Sequence, residues 1–382
     1  MAELVFSRTQ MTVREKLWQI HWLFVLLLLA TAAVGVAMQY SAADGRMEPW
    51  ALRHAIRFGV GVVAMVMVAL VDVRVWIRYA YAIYLVVLAL LVAVEIAGDL
   101  GMGARRWLHL GFINVQPSEM MKIAMVLALA RYFHGGSQED VRRPLWLLTP
   151  IFLVAAPVAL VLRQPDLGTA LILAITAAAM LFLAGVRVWK FMVLGLLAVA
   201  AAPVAWRFLH EYQRRRVLTF LDPETDPLGA GYHIIQSKIA FGSGGISGRG
   251  FMQGTQGHLS FLPEMQTDFI FTMLAEEFGL MGGLMLLGLY VLLMIYGIAI
   301  ALRARSHFGR LLGMGVTVTF FLYVFINMAM VMGLIPVVGV PLPLISYGGT
   351  AMLTLLFGFG LLMGVWVHRD VTIGRRGAAG DE

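Results

Sequence analysis

The chain has 382 residues, of which 60% are hydrophobic and only 13% are charged, and its mean hydropathy is +0.83. Soluble domains run at about 45–50% apolar and about 25% charged, so the composition points to a polytopic membrane protein. The net charge of +7 falls at span ends rather than in a nucleic-acid-binding patch, and with no cysteine the chain can form neither disulfides nor thiolate metal sites.

A spanning helix needs about 20 mainly apolar residues. Ten stretches qualify: 20–40, 52–71, 77–97, 117–134, 146–163, 167–185, 189–208, 268–300, 311–333 and 348–367. The first is longer than a signal-peptide core and no small-residue cleavage site follows it, so it reads as an uncleaved helix. The expectation is an all-α polytopic fold of about ten transmembrane helices, with a large extracytoplasmic loop between helices 7 and 8. It forms a single membrane domain over 1–382, with a helical core at 18–368, the loop at 208–268, and cytoplasmic tails at 1–17 and 369–382. Lysine and arginine set the orientation. One set of loops and tails carries Arg8, Arg14, Lys16, Arg74, Arg78, Arg142, Arg143, Arg187, Lys190, Arg303, Arg305, Arg310, Arg369, Arg375 and Arg376, whereas the opposite short loops carry Arg46, Arg53, Arg105, Arg106 and Arg163. Both termini are therefore expected in the cytoplasm.

Polar residues crowd the outer boundary in chain order. The third and fourth spans are separated by the polar stretch from Gly101 to Trp107. Gln116-Pro-Ser-Glu-Met-Met-Lys122 opens the fourth span, with Pro117 suited to a first helical turn. Glu119 and Lys122 share a face at a spacing of three. They read either as a dipole-favoured acid paired with a lysine or as the wall of an outward cavity. Asp166, in Arg163-Gln-Pro-Asp-Leu-Gly168, is placed to cap the sixth helix.

The insertion from about His210 to Asp268 holds nine glycines, the triplet Arg214–Arg216 and several aromatics, without an evident helix or strand pattern. That mixture differs from a disordered composition and predicts a loop folded onto the membrane domain. The arginines suit either a phosphate or anionic lipid headgroups. Gly242–Gly250 is glycine-rich but lacks a Lys-Ser/Thr ending and follows no strand, so nucleotide binding is not expected. Three prolines within 336–343 bar a regular helix from an almost wholly apolar segment, which predicts a re-entrant, stiff loop. The nine histidines show no H-x-x-x-H pair, so no protein metal site or resident cofactor is indicated. A magnesium or manganese ion shared between a carboxylate and a phosphate would leave little signature.

Eight blocks in order resemble the SEDS family (shape, elongation, division and sporulation), over about Trp18 to His368. They are GARRWLHLG (103–111), QPSEMMK (116–122), RQPDLGTA (163–170), DPLGAGYHIIQSKIAFGSGGISGRGF (226–251), GTQGHLSFLPE (254–264), TDFIF (267–271), EEFGLMG (276–282) and PVVGVPLPLISYGG (336–349). The YHIIQSKIAFGSGG block followed by Gly254-Thr255-Gln256 resembles the elongation (RodA-type) branch, since the division (FtsW-type) branch typically has a serine where Thr255-Gln256 stands. One departure is Gln266, where the family commonly has histidine. The resemblance implies a peptidoglycan polymerase of the bacterial inner membrane that joins lipid II units during elongation and rod-shape maintenance. It also implies a class B penicillin-binding protein and other elongation-complex proteins as partners.

Asp268 matches the family's essential aspartate. A carboxylate at that height can act as general base on the acceptor sugar hydroxyl, while cations stabilise the leaving lipid diphosphate. The expected substrate-binding set is Glu119, Lys122, Arg105, Arg106, Asp166, Lys238, Ser243, Gln256 and Glu264, with the arginine triplet as a further source of positive charge. Read without the resemblance, Asp268 also suits the N-cap of the eighth helix. A lipid II flippase and a scaffold without chemistry are the alternative classes. No inverted repeat is evident, and the polar groups cluster at the outer face rather than the midplane that transport would favour.

Overall fold

The computed structural model describes residues 11–101, 104–110, 113–208, 211–225, 230–255 and 265–374. A short helix α1, Val13–Gln19, opens with Thr12 and Glu15 in a reciprocal capping box. Three long helices follow: α2 (Trp22–Ala42), α3 (Ala51–Leu70) and α4 (Val73–Ala97). The polar stretch after α4 is not a plain loop. It folds into a three-stranded antiparallel sheet, β1 (Asp99–Gly101), β2 (Ala104–Leu110) and β3 (Ile113–Val115), in the order β1-β2-β3. Strands of three to seven residues are too short for a reading tuned to 20-residue apolar runs.

The remaining helices are α5 (Pro117–His134), α6 (Gln138–Arg142), α7 (Leu148–Arg163), α8 (Leu167–Leu183), α9 (Val188–Phe208), α10 (Glu211–Leu221), α11 (Ala230–Gly244), α12 (Ile270–Arg303), α13 (His307–Val331) and α14 (Gly349–Val367). Each of the ten expected spans coincides with one long helix. Among the described residues, seven helices are long and apolar enough to cross a bilayer. The others are α5, which carries Glu119, Lys122 and Arg131, and the shorter apolar α8 and α9. Burial explains α5: it is enclosed along nearly its whole length, so its charges face protein rather than lipid. With α13 and α14 it forms the centre of the bundle, whereas α7 and α9 expose large apolar side chains such as Phe152, Met192 and Leu196.

Two ends of the bundle are chemically distinct. At one end Lys16 Nζ donates to Leu70 O at 2.9 Å, Arg131 Nη1 to Arg78 O at 2.6 Å, and Lys190 Nζ to Arg142 O at 3.1 Å. These are ties among the basic loops. The opposite end gathers the sheet, the 163–168 turn, the insertion and the proline-rich segment.

The insertion is more regular than its sequence suggests, because α10 and α11 lie within it. Helix α11 packs on α12, where Ser237 Oγ meets Thr272 Oγ1 at 2.8 Å and donates to Val331 O at 2.7 Å. The glycine-rich segment after α11 completes a break in α12. Gly279, at φ 64° and ψ −160°, interrupts that helix and frees backbone groups on both sides. Arg249 N and Gly250 N donate to Glu276 O and Glu277 O, each at 3.0 Å. On the other side of the break, Leu280 N and Met281 N donate to Gly245 O and Ile246 O at 3.0 and 3.1 Å. Irregular backbone within a membrane domain must find such partners. The glycines are required by proximity: a Cβ on Gly244 would lie 2.0 Å from Ala275 O, and one on Gly248 2.1 Å from Glu277 O. This segment is helix packing, not a phosphate cradle.

Candidate active site

The sheet end is organised around the turn 163–168. Arg106 donates through Nε to Gln164 O at 3.0 Å and through Nη2 to Pro165 O at 2.6 Å. Its guanidinium therefore fixes the turn and places a positive charge beside it. Asp166 caps α8, with Oδ1 accepting from Thr169 N at 3.1 Å, while Oδ2 accepts from Gln116 Nε2 at 3.3 Å. The expected cap is thus present, and the same carboxylate also ties the start of α5 to the start of α8.

One turn into α5, Glu119 and Lys122 lie 4% and 1% exposed. Lys122 Nζ stands 2.5 Å from Glu119 Oε1. The hydroxyl of Tyr323, on α13, accepts from Lys122 and donates to Glu119. Each charge in this triad has a partner, as burial in a membrane domain requires. Sequence reading found the acid and the base but not Tyr323, since nothing in a 25-residue apolar helix signals that its one tyrosine meets a charged pair on another helix.

Asp268 is half-buried at the start of α12. The residue at the N-cap position is Phe269, one place after Asp268. Its backbone runs beside the proline-rich segment, where Tyr347 N donates to Gln266 O at 2.8 Å. A methyl group on Gly339 would lie 3.4 Å from Asp268 Oδ2, so the absent side chain leaves room beside the carboxylate. The next turn of that segment reaches the other polar group. Val340 and Val338 sit on Gly168, where a Cβ would lie 2.7 Å from Val340 Cγ2 and 2.8 Å from Val338 O. Pro341, Leu342, Pro343 and Ser346 line a small cavity with Tyr323. The apolar segment is thus one wall shared by Asp268, the Asp166 turn and the Glu119–Lys122–Tyr323 triad.

That wall is non-helical, yet its carbonyls are satisfied. Tyr290 Oη donates to Pro343 O at 2.6 Å, and His54 Nε2 lies 3.0 Å from Leu344 O. Leu344 itself adopts φ 63°, a conformation unfavourable for a non-glycine residue and held here by its surroundings. Arg57 stacks over Tyr347 with its guanidinium 4.8 Å from the ring centre.

The other expected residues are distributed more widely. Lys238 is exposed on α11 and lies against Gly333, where the proline-rich segment begins. Ser243 Oγ donates to Ala240 O at 2.9 Å and approaches Glu276 Oε1 at 3.5 Å, so it belongs to the junction of α11 with α12. Thr255 Oγ1 donates to the same oxygen at 3.2 Å, and Ser41 Oγ donates to Glu277. Arg214 caps the end of α9, donating to Trp206 O at 3.0 Å and Arg207 O at 2.8 Å. The side chains of Arg105, Arg215 and Arg216, and all of Gln256 and Glu264, lie outside the described residues. Among the described residues no three His, Asp or Glu side chains gather into a metal set.

Comparison with known proteins agrees with this architecture. The cell cycle protein family of FtsW, RodA and SpoVE matches residues 16–371. The peptidoglycan glycosyltransferase MrdB of Escherichia coli K12 is 47% identical over 354 residues, covering 91% of this chain and 93% of its own. Stage V sporulation protein E of Bacillus subtilis is 36% identical over 353 residues, covering 90% and 96%. Among solved structures, a chain from a peptidoglycan synthase complex that coordinates polymerization and crosslinking superposes with a TM-score of 0.79. It is 35% identical and covers 92% of this chain and 98% of its own. The Thermus thermophilus rod shape determining protein RodA gives a TM-score of 0.69 at 29% identity, covering 92% and 97%. With a family match across nearly its whole length and relatives well above a third identical, this chain belongs to the FtsW, RodA and SpoVE family.

Proposed function

We propose that this protein polymerises lipid II at the outer face of the bacterial inner membrane, with Asp268 as the general base. It is a peptidoglycan glycosyltransferase of the RodA type, the activity carried by its relatives' names. The observation that carries the residue-level reading is the position of Asp268. A half-buried carboxylate stands at the polar end of the bundle, beside the bare backbone of Gly339. A sugar tethered by a lipid tail would lie at this height.

The reaction joins an acceptor 4-hydroxyl to the anomeric carbon of a donor. The new C–O bond forms as the bond to the lipid diphosphate breaks. Asp268 takes the hydroxyl proton, and the leaving diphosphate carries away the bonding electron pair. Arg106, held on the 163–168 turn, and Arg214, held on the end of α9, keep their positive charge there and are candidates to stabilise the leaving diphosphate. Both termini are assigned to the cytoplasm, on the distribution of basic residues. The partner is a class B penicillin-binding protein that cross-links the product, since a synthase complex is the setting of a structural relative.

Asp268→Asn is expected to give a folded, inserted protein that forms no glycan polymer from labelled lipid II. The assay uses purified protein with its cognate transpeptidase, which brings no polymerase chemistry. A near wild-type rate would rule out the general base, and lipid movement without polymer would favour a flippase.

A further inference from the structure

Three consecutive carbonyls around Asp268 are each held by a side chain from a different part of the bundle. Gln39 Nε2, on α2, donates to Gln266 O at 2.9 Å. Ser346 Oγ, in the proline-rich segment, donates to Thr267 O at 2.5 Å. Asn327 Nδ2, on α13, donates to Asp268 O at 2.9 Å. Two of these donors also grip the proline-rich segment: Gln39 donates to Ile345 O at 2.9 Å, and Asn327 to Val340 O at 2.7 Å. Ser346 Oγ in turn accepts from Leu342 N at 2.7 Å.

We propose that Asn327 is a positioning residue that sets the distance between the Asp268 carboxylate and the apolar wall at Gly339–Val340. The inference rests on the general-base reading of Asp268. Its geometry is specific. Both partners of Asn327 are carbonyl oxygens, so the amide nitrogen must face them and the orientation is fixed by chemistry. Asn327 is fully buried, and its Oδ1 accepts no hydrogen bond among the described residues. A buried acceptor of this kind carries a cost that is offset by the two bonds its amide donates. What the amide supplies is two donors on one rigid group. One is spent on the peptide that carries the base and the other on the residue after Gly339. Removing it lets the base move relative to the wall without touching the substrate.

The test is Asn327→Ser, whose shorter side chain cannot span both carbonyls, assayed by lipid II polymerisation in the reconstituted complex. The result expected is a kcat lowered about 30- to 100-fold, the order of loss for a misplacement of about 1 Å, with KM within about threefold of wild type. Thr31→Val, which deletes a buried hydroxyl bond of 2.8 Å to Leu27 O remote from the site, is the control for general loosening, and its kcat should stay at the wild-type value. A kcat for Asn327→Ser within threefold of wild type, or a loss confined to KM, overturns the inference. Should Asn327→Ser fail to fold, Ser346→Ala removes the bond to Thr267 O and the one accepted from Leu342 N, between the same two segments, and carries the same kcat-against-KM criterion. The two readings fail separately. If Asp268→Asn is inactive while Asn327→Ser is fully active, only the positioning role falls. If Asp268→Asn polymerises, the general-base reading falls first.

Discussion

Lys122 lies inside the bundle within 2.5 Å of Glu119, with the hydroxyl of Tyr323 between the two. Removing one member of a buried charged pair leaves the other uncompensated, at a cost of roughly 3–5 kcal/mol. Lys122→Met should therefore lower the thermal unfolding midpoint strongly. The double variant Lys122→Met with Glu119→Gln should recover much of that loss, and a thermal melt in nanodiscs reads the difference. Tyr323→Phe deletes one donor and one acceptor from the same group. Its effect should be smaller in stability, about 1–3 kcal/mol, because the Glu119–Lys122 pair survives. Asp268 differs from this triad. It is only half-buried, and its backbone is held by Asn327, so Asp268→Asn should remove activity with little change in melting.

At the scale of elements, the broken α12 and the proline-rich segment share one solution. Each abandons regular hydrogen bonding inside a membrane domain, and each recovers its backbone partners from a neighbour. For α12 the neighbour is the glycine-rich segment 242–250, in direct van der Waals contact with its backbone. Gly248→Ala would place a methyl group 2.1 Å from Glu277 O at a backbone φ of +78°. The expected cost is about 1–3 kcal/mol from overpacking, with strain at a positive φ added. The measurement is the shift in unfolding temperature together with protease sensitivity in the insertion. For the proline-rich segment the neighbours are Tyr290, His54, Gln39 and Asn327. Proline content marked the second segment as irregular, whereas 268–300 read as one uninterrupted span. Which side chains would satisfy them was not legible, because the donors lie up to 306 residues away in sequence.

For the molecule as a whole, the polar and basic ends carry different work. One end gathers carboxylates and a stiff apolar wall, and the other ties basic loops together. The lack of native cysteine makes the orientation directly measurable. Phe251→Cys, exposed in the insertion, should react with a membrane-impermeant maleimide added outside spheroplasts. Leu145→Cys, exposed near the basic Arg142 loop, should react only after permeabilisation. The reverse pattern would place Asp268 on the cytoplasmic side and end the proposed mechanism.

Long apolar runs determined the membrane class and the positions of the ten long helices, because each helix must satisfy its own backbone and the length of the run encodes it. The cap at Asp166 and the pairing of Glu119 with Lys122 were equally local, set by spacings of three along one helix. Tyr323, Asn327 and Gln39 were a different matter. Each is an ordinary residue in an apolar helix until a remote segment folds against it. The commitment of Arg106 to two carbonyls, the break at Gly279 and the sheet at 99–115 likewise followed from neighbours distant in the chain. Local pattern fixes what a segment can bury or satisfy by itself, whereas only packing decides which unsatisfied groups meet.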